Sequence, residues 1–442
     1  MARRPPPSRP QHEPDPRRPR VSLESAPTKL VVVGQGYVGL PLALRAVEVG
    51  FNVVGFDTDT GRVKRLADAD SYIEDIPDDR LVRALGSERY EPTSDPGRMG
   101  AFDVAVIDVP TPLHDGNPNL SFVEGAATLL APHVQPGATV VLESTSYPGT
   151  TEELVAPLLE EGSGLVAGRD FHLGYSPERI DPGNPDWRLE NTPKVISGID
   201  ESSLQAVRNF YDRIVDQTIS VSGTREAELT KLLENTFRHV NIALVNELAM
   251  FAEELDIDVW EAIDAASTKP FGYLRFTPGP GVGGHCLPID PSYLSWKVRR
   301  SLGQPFRFVE LANDVNEHMP DYVVRRLVLG FNRMGRAING SRILLLGLAY
   351  KPNTGDHRES PGTAIAQSLS ALGADVRVAD PHLSDQSVVF PLVELSAEEL
   401  DSADAVVVVT DHDAFDYDLV RTHARYVFDT RNRLDGPTVE RL

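Results

Sequence analysis

Short apolar runs alternate with longer amphipathic stretches along the first half of the chain. The segment "KLVVVGQGYVGLPLALRAVEVGFNVVGFDTD", which starts at Lys29, has the pattern of a strand, a glycine turn, a helix and a second strand. The stretches "FDVAVIDVPTP" and "ATVVLESTSYPGTT" are two further apolar runs that end in turn or polar residues. Because strands that alternate with helices build βαβ units, this pattern predicts an α/β fold with a parallel, doubly wound sheet.

The pattern changes near residue 223. In "TREAELTKLLENTFRHVNIALVNELAMFAEELDIDVWEAIDAAS" there is no Pro or Gly, and apolar residues recur at spacings of three and four, as at Leu229, Leu233, Val240, Leu244 and Leu248. This period is typical of one face of a helix. The segment predicts one long helix or two, which would join two lobes and offer a face for dimerisation.

At Ser341 the α/β pattern returns with "SRILLLGLAYKPNTGDHRESPGTAIAQSLSALGADVRVADP", a strand, loop, helix and strand without the full glycine fingerprint. We therefore predict two Rossmann-like domains joined by a domain of long helices. The predicted divisions are a disordered Pro- and Arg-rich tail (1–27), a first α/β domain (28–222), a central helical domain (223–330) and a second α/β domain (331–442).

Composition excludes several classes of function. A net charge of -22 over 442 residues argues against binding to nucleic acid or to an anionic membrane surface. No stretch approaches the roughly 18 consecutive apolar residues of a membrane span, and the tail lacks the apolar centre of a signal peptide. A single cysteine rules out an intrachain disulfide and suits a reducing compartment. These features predict a soluble, cytoplasmic protein.

A dinucleotide site is predicted by Gly34, Gly36 and Gly39, which form G-x-G-x-x-G directly after the first strand. The glycines allow a tight turn and the close approach of a pyrophosphate to a helix N-terminus. Asp57 closes the next strand, where an acid binds the adenosine ribose 2′-hydroxyl and repels a 2′-phosphate. This favours NAD, although the cations Arg62 and Lys64 follow closely and leave NADP open.

Cys286 lies between a glycine run and a proline-punctuated turn in "GPGVGGHCLPIDP". The segment after it has the pattern of a helix start, and a thiol at a helix N-terminus has a lowered pKa. Asp290, four residues on, would face the same side if the turn is helical. The environment is that of a reactive nucleophile, and the alternative is an inert, buried cysteine.

Lys231 and Asn235 are four residues apart, and therefore share one face of the predicted long helix. A lysine on a helix is usually solvated, but the residues around this one in "LTKLLENTF" are mostly apolar. A partly buried lysine can act as a base or hold an oxyanion.

Polar residues stand where ligands bind in open α/β sheets. "LESTSYPGTT" places Glu143 and Thr145 at the carboxyl end of a strand, and "SPERIDPG" places Glu178 and Arg179 in a loop. Taken alone, each is more typical of a turn or a helix cap.

In the last domain, "YKPNTGDHRESP" carries Lys351, Arg358 and Glu359 in a loop beside a helix start, which suits a phosphate. The acidic segment "HDAFD" is interpreted as a surface turn, and no metal site is predicted.

Together these segments resemble the UDP-glucose/GDP-mannose dehydrogenase family over roughly residues 28–442. The resemblance rests on seven signatures in order: "GQGYVGLPLA", "VPTPLHDGNPNLS", "ESTSYPGTT", "YSPERIDPG", "KLLENTFR", "PGPGVGGHCLPIDP" and "GLAYKPNTGDHRESP". It implies an NAD-dependent nucleotide-sugar 6-dehydrogenase of polysaccharide biosynthesis that is a dimer through its central helix.

The resemblance also implies a role for each matching residue. The implied NAD site comprises Gly34, Gly36, Tyr37, Val38, Gly39, Asp57, Thr111, Thr145 and Arg358. The implied nucleotide-sugar site comprises Arg179, Lys231, Asn235, Arg275, Gly283, Gly284 and Lys351. The implied catalytic residues are the nucleophile Cys286 together with Lys231, Asn235, Asp290 and Glu178. In this scheme two hydride transfers turn the C6 alcohol into an acid through a thiohemiacetal and a thioester on Cys286.

One departure from the family pattern bears on the substrate. UDP-glucose dehydrogenases typically have "CLPKD", whereas this chain has Ile289 in "CLPID". The surrounding versions resemble enzymes of UDP-N-acetylhexosamines, and "FGYLRF" favours UDP-N-acetylglucosamine over UDP-N-acetylmannosamine. UDP-glucose remains an alternative substrate. A two-electron hydroxyacid dehydrogenase or an NAD-binding scaffold would not need Cys286.

Overall fold

The computed structural model describes residues 28–73, 76–114, 116–180, 184, 186–284, 287–384 and 388–442. The predicted tail (1–27) and the predicted nucleophile Cys286 lie outside the described residues. None of the helices in this part of the chain is long and apolar enough to cross a bilayer.

An eight-stranded sheet forms the first α/β domain, in the order β10-β9-β8-β7-β4-β1-β2-β3. Its strands, with the short β5–β6 hairpin, are β1 (Lys29–Val33), β2 (Asn52–Phe56), β3 (Tyr90–Thr93), β4 (Val104–Ile107), β5 (Leu113–His114), β6 (Asn117–Pro118), β7 (Thr139–Leu142), β8 (His172–Tyr175), β9 (Lys194–Gly198) and β10 (Thr218–Ser220). The predicted doubly wound sheet is confirmed, with one difference: β9 runs antiparallel to β8.

Six α-helices accompany this sheet: α1 (Gly39–Glu48), α2 (Thr60–Ala67), α3 (Asp78–Gly86), α4 (Ser121–Leu130), α5 (Ala156–Ser163) and α6 (Glu201–Ile214). A π-helical turn, Thr151–Val155, leads into α5. Apolar side chains from both faces of the sheet form two clusters with these helices, so that β1 and β4 are buried on both sides. A strand buried on both faces reads as a continuous apolar run, as "LVVV" does.

Polar residues at helix starts explain several element boundaries. The side chains of Asp59, Asp200, Asp258, Ser360 and Asp416 each accept hydrogen bonds from backbone N–H groups in the first turn of the helix that follows. These contacts satisfy donors that have no partner within the helix.

Four helices form the centre of the chain: α7 (Thr224–Glu254), α8 (Val259–Ser267), α9 (Asp290–Leu302) and α10 (Arg307–Arg333). The long helical segment is thus two helices, of which α7 has 31 residues. Its apolar stripe faces outward, with Leu233 61% and Leu244 53% exposed. The buried face combines mostly small apolar residues with polar ones, among them Glu228, Asn235 and Asn246.

The second α/β domain is a five-stranded parallel sheet in the order β12-β11-β13-β14-β15. Its elements are β11 (Arg342–Leu346), α11 (Pro361–Ala371), β12 (Asp375–Ala379), α12 (Ala397–Ser402), β13 (Ala405–Val408), α13 (Tyr417–His423), β14 (Val427–Asp429) and β15 (Val439–Arg441). Gly347 follows β11 at a φ of +80°, as Gly34 follows β1 at +99°. The two domains therefore share the same turn after their first strand.

Candidate active site

The turn after β1 has the shape that a pyrophosphate requires. A Cβ atom added to Gly34 would lie 1.9 Å from the carbonyl oxygen of Asp108, and one added to Gly39 would lie 2.0 Å from that of Gly34. Both positions therefore tolerate only glycine. A Cβ on Gly36 would meet no atom within 4 Å. The turn is closed on its protein side and open at Gly36, in front of the N-terminus of α1, so these residues fit a dinucleotide.

Asp57 lies just after β2 and is held from three sides. Its carboxylate accepts hydrogen bonds of 2.9 Å from the backbone N–H groups of Gln35 and Asp59. Arg62 donates to the same carboxylate at 2.8 Å. Asp57, the predicted ligand of the ribose, therefore lies beside the glycine turn. Arg62, one of the two cations that follow it in sequence, is paired with its carboxylate.

Thr111 and Thr145 follow adjacent strands, since β4 pairs with both β1 and β7. The N–H of Val109 donates to the hydroxyl of Ser144 at 2.8 Å and ties the two loops together. Parallel strands that end at one edge of a sheet bring their following loops together. Both threonines thus lie at the same edge as the glycine turn.

Arg358, from the second α/β domain, reaches the glycine turn of the first. Its guanidinium carbon lies 5.8 Å from the ring centroid of Tyr37, and Asp356 holds the guanidinium through bonds of 2.9 and 2.6 Å. Its carbonyl oxygen accepts the N–H of Gly284 at 3.2 Å. The predicted cofactor residue Arg358 therefore contacts both predicted ligand sites.

The glycine run before Cys286 allows two loops to approach closely. A Cβ on Gly283 would lie 2.7 Å from the carbonyl oxygen of Glu359, and one on Gly284 would lie 2.7 Å from the ring of Tyr350. Lys351 follows Tyr350 directly in the loop after β11. The glycines thus seat the predicted substrate loop against the loop that carries Lys351.

Lys231 on α7 donates a 2.7 Å hydrogen bond to the backbone carbonyl of Glu178. Arg179 forms an ion pair of 2.8 Å with Glu234, also on α7, and donates to the carbonyl of Pro193 at 2.6 Å. The structure therefore joins the "SPER" loop to the helix that carries Lys231 and Asn235. It is the carbonyl of Glu178, not its carboxylate, that holds the lysine.

Asn235 donates a 2.5 Å hydrogen bond to the carboxylate of Asp290, the first residue of α9. Asp290 is buried, and burial raises its pKa to about 6, while Lys231 and the amide of Asn235 act to lower it. A carboxyl group with a pKa near the working pH can exchange protons with a bound alcohol or water. Three of the predicted catalytic residues thus meet between α7 and α9.

A buried charge cluster supports this group and was not predicted. The ammonium of Lys194, 2% exposed, lies 2.8 Å from Glu143 and 2.6 Å from Glu178. Tyr211 also donates to Glu143. Because β9 is antiparallel to β8, its first residue lies where β8 ends, which places Lys194 in this cluster. The sequence feature that could have indicated this cluster is the lysine at the start of the apolar strand "KVISG".

The cluster sets the ionisation of its two glutamates in opposite directions. Burial opposes ionisation of Glu178, but Lys194 and the backbone N–H groups of Arg179 and Ile180 hold its pKa below the ordinary value. Burial raises the pKa of Glu143, and the Glu178 charge adds to this against the attraction of Lys194. Glu178 is therefore an ionised, fully engaged side chain that fixes its own loop.

Two predicted features do not join this group within the described residues. Arg275 is about half exposed and forms an ion pair of 2.8 Å with Asp264 of α8. The interpretation of "HDAFD" as a surface turn was wrong for His412, which is fully buried and lies 3.1 Å from Asp380. Among the described residues, no group of three or more His, Cys, Asp or Glu side chains could hold a metal ion.

Comparison with known proteins gives matches along most of the chain. Residues 28–215 match the NAD binding domain of the UDP-glucose/GDP-mannose dehydrogenase family, residues 225–318 its central domain and residues 344–436 its UDP binding domain. A UDP-N-acetyl-D-mannosamine dehydrogenase of Pyrococcus horikoshii is 34% identical over 417 residues, which cover 93% of this chain and 97% of that protein.

Two further similarities span nearly the whole chain. An NDP-N-acetyl-D-galactosaminuronic acid dehydrogenase of Ralstonia solanacearum is 37% identical over 413 residues, or 90% of this chain and 95% of that protein. The solved structure of a UDP-D-ManNAc dehydrogenase from Pyrococcus horikoshii superposes with a TM-score of 0.86 at 32% identity, covering 94% of this chain and 99% of that one.

Proposed function

The chain belongs to the UDP-glucose/GDP-mannose dehydrogenase family, and from this premise we propose that it oxidises the C6 alcohol of a UDP-N-acetylhexosamine to a carboxylate. Membership makes it an NAD-dependent nucleotide-sugar dehydrogenase. The observation that carries the more specific proposal is the meeting of Lys231, Asn235 and Asp290 between α7 and α9. Asp290 lies four residues after the predicted nucleophile Cys286 in sequence.

The cofactor would be held by the residues that form the turn after β1 and the neighbouring strand ends. They are Gly34, Gly36, Tyr37, Val38, Gly39, Asp57, Thr111, Thr145 and Arg358. When bound, NAD accepts a hydride from C6 in each of the two oxidations. The glycine turn binds the pyrophosphate, and Asp57 orients the adenosine ribose.

Cys286 is the proposed nucleophile of the second oxidation. Its thiolate sulfur would bond to the aldehyde carbon and give the alkoxide of a thiohemiacetal, which becomes a thioester when its hydride leaves to a second NAD. Water then attacks the thioester carbon, the carbon–sulfur bond breaks, and the thiolate leaves the carboxylate product. A serine would be a much poorer nucleophile at neutral pH, because a hydroxyl needs stronger activation.

Lys231, Asn235 and Asp290 are proposed to manage protons and charge at C6. Lys231 can stabilise an oxyanion there, and Asn235 orients the carboxylate of Asp290. Asp290 accepts the proton of the attacking water in its ionised form. Glu178 assists by holding Lys231 through its carbonyl and by fixing its loop through Lys194.

UDP-N-acetylglucosamine is the first proposed substrate, on the resemblance of the "FGYLRF" segment. UDP-N-acetylmannosamine is the second, because a relative of that name is 34% identical over 93% of the chain. Ile289 supports an acetylhexosamine over UDP-glucose, because UDP-glucose dehydrogenases typically have lysine at this position in "CLPKD". The side chain of Ile289 is buried in an apolar cluster with Leu232 and Tyr293. The proposed ligands of the nucleotide sugar are Arg179, Lys231, Asn235, Arg275, Gly283, Gly284 and Lys351.

We further propose a homodimer that forms through α7, and the division of the chain at residues 28–222, 223–330 and 331–442. Six apolar side chains on α7 are exposed, namely Leu229, Leu233, Phe237, Leu244, Leu248 and Phe251. An apolar face of this size on one helix is typical of a protein–protein interface. Cytoplasmic location is proposed on the single cysteine, which suits a reducing compartment.

The test is the amount of NADH formed per nucleotide sugar consumed, with UDP-N-acetylglucosamine, UDP-N-acetylmannosamine, UDP-glucose and GDP-mannose as substrates. Two NADH for each UDP-N-acetylhexosamine would support both the substrate class and the four-electron reaction. One NADH per sugar would overturn the thioester route. Activity with UDP-glucose alone would overturn the proposed substrate.

The Cys286→Ser variant separates this reaction from a two-electron hydroxyacid oxidation. The proposal expects the acid product to be lost while NAD binding is retained. If the variant keeps the acid product at the wild-type rate, Cys286 is not the nucleophile.

A further inference from the structure

We propose that Glu228 is a positioning residue that fastens the cofactor loop after β7 to the helix carrying Lys231 and Asn235. The inference rests on the proposed function, because it assumes that Thr145 binds NAD and that α7 carries catalytic residues. Neither the family resemblance nor the sequence pattern assigned a role to Glu228. It stands on the buried face of α7 and is fully enclosed.

The carboxylate of Glu228 accepts hydrogen bonds from several donors of one loop. Oε2 accepts the N–H of Gly149 at 2.5 Å, and Oε1 accepts the N–H and the hydroxyl of Thr151 at 2.9 and 2.8 Å. The hydroxyl of Ser146 lies 3.4 Å from the same oxygen. These four contacts span residues 146–151, which directly follow the proposed cofactor residue Thr145.

The position of Glu228 on α7 links that loop to the catalytic group. Lys231 lies three residues further along α7, and Asn235 lies seven, so all three lie on one face of the helix. A helix is a rigid element over this distance, and any displacement of the loop at Glu228 displaces Lys231 and Asn235 as well. Glu228 therefore sets the spacing between Thr145 and the residues proposed to act at C6.

The same helix also holds the substrate loop. Farther along the buried face, Asn246 accepts the N–H of Gly279 at 2.9 Å and donates to Asn316 of α10 at 2.9 Å. Gly279 begins the glycine run that leads to Gly283 and Gly284. With about 1.5 Å per residue, roughly 27 Å of continuous helix connects the cofactor loop at Glu228 to the substrate loop at Asn246.

More exposed contacts at the start of α7 also join this helix to the segment that follows the loop, but they contribute less. Arg225 pairs with Glu152 at 3.1 Å and with Glu153 at 3.0 Å, and Thr224 donates to Glu152 at 2.9 Å. Solvent-exposed ion pairs typically contribute about 0–1 kcal/mol. A buried carboxylate whose removal would leave two backbone N–H groups without acceptors matters more. Glu152 thus offers a matched control at the same junction.

Burial raises the pKa of Glu228 to about 7, and the nearby Glu152 adds to this, while its N–H and hydroxyl donors on Thr151 and Gly149 act to lower it. Burial makes this carboxyl group costly to ionise, and its donors on Gly149 and Thr151 offset part of that cost. Replacement by glutamine keeps the shape but replaces one acceptor oxygen with a donor. The NH₂ group of the glutamine would then face the backbone N–H of Gly149 or Thr151, which would lose its acceptor.

The test measures how strongly NADH and UDP affect each other's binding. The dissociation constant of NADH is measured by fluorescence with and without saturating UDP, for the wild type, Glu228→Gln and Glu152→Gln. We expect a coupling of about five-fold or more in the wild type and in Glu152→Gln, and a coupling reduced to near unity in Glu228→Gln. The readout needs no turnover, and a purely structural defect would not remove coupling from a folded, ligand-binding protein.

Steady-state kinetics provide the second readout. Glu228→Gln should lower kcat about ten-fold or more with little change in KM for the nucleotide sugar, because misplacing Lys231 and Asn235 affects the reacting atoms rather than substrate binding. Thr151→Val, which removes one donor and leaves the rest, should show the same effects in smaller degree and serves if Glu228→Gln does not fold. Wild-type coupling of unity, or coupling unchanged in Glu228→Gln, would overturn the inference. A wild type that binds both ligands but oxidises no nucleotide sugar would overturn only the proposed function.

Discussion

The amide of Asn235 donates a 2.5 Å hydrogen bond to the buried carboxylate of Asp290, across the contact between α7 and α9. Asn235 lies four residues after Lys231 on α7, and Asp290 lies four residues after the proposed nucleophile Cys286 in sequence. The bond therefore joins the part of the site that lies on the long helix to the part that follows the glycine run.

The buried Asp290 predicts a specific pH dependence of stability. Its pKa is raised from 3.8 to about 6, so the folded state binds a proton more tightly than the unfolded state. Its contribution therefore makes the protein less stable as pH rises between these values. Asp290→Asn removes this penalty, and we expect the variant to gain about 2 kcal/mol relative to the wild type between about pH 4 and 8. Denaturant unfolding at both pH values measures this.

The unfolding free energies at the two pH values also show whether Asp290 fails to titrate. If the difference in unfolding free energy between Asp290→Asn and the wild type is the same at both pH values, the carboxyl group does not titrate in this range. The exposed Asp264→Asn variant is the control, and its difference should not change by more than a few tenths of a kcal/mol.

Lys194 is expected to be essential to the fold of the site. Lys194→Met leaves the buried carboxylates of Glu143 and Glu178 without their cation, and breaking a buried pair in this way costs about 3–5 kcal/mol. The matched change Lys297→Met, which removes an exposed ion pair with Glu153, should cost about 1 kcal/mol or less. Urea unfolding of the two variants compares them; equal losses would show that the buried cluster contributes no special stability.

Alanine substitutions at two glycines of the turn after β1 are predicted to affect different properties, stability at Gly34 and NADH binding at Gly36. Gly34→Ala should destabilise the protein, because its Cβ would overlap the carbonyl of Asp108 at a φ of +99°. Gly36→Ala has space for its Cβ and should leave the melting temperature within a few degrees, while NADH affinity falls about ten-fold or more because the methyl group occupies the side open to the pyrophosphate. Calorimetry and NADH titration separate the two; normal NADH binding by Gly36→Ala would place the dinucleotide elsewhere.

The exposed stripe of α7 predicts the oligomeric state. Leu244→Asp puts a charge in the centre of the proposed interface and should convert a dimer to a monomer, as measured by light scattering during gel filtration. The Leu372→Asp variant, which changes a similarly exposed leucine of the second α/β domain, should remain dimeric. A wild-type monomer, or dissociation by both variants alike, would contradict an interface on α7.

Local features of the chain could be predicted because each depends on a short segment. The turn at Gly34 needs a residue without a side chain whatever surrounds it, and apolar runs such as "LVVV" require burial on both faces. The spacing of Lys231 and Asn235 fixes that they share a helix face. For the same reason the long helical segment and the strand that precedes Asp57 follow from the sequence.

The tertiary structure decided what each face meets. The apolar stripe of α7 was recognisable, yet its period does not say whether the chain's own core covers it, and the structure leaves Leu233 and Leu244 exposed. The face that is buried carries Glu228 and Asn235, because their partners come from segments 55 to 82 residues away in sequence. Lys194 reaches its glutamates only because β9 runs antiparallel to β8. Partners brought together by strand order and helix packing leave no local pattern, so the sequence alone predicted the proposed reacting groups but not the buried charges beside them.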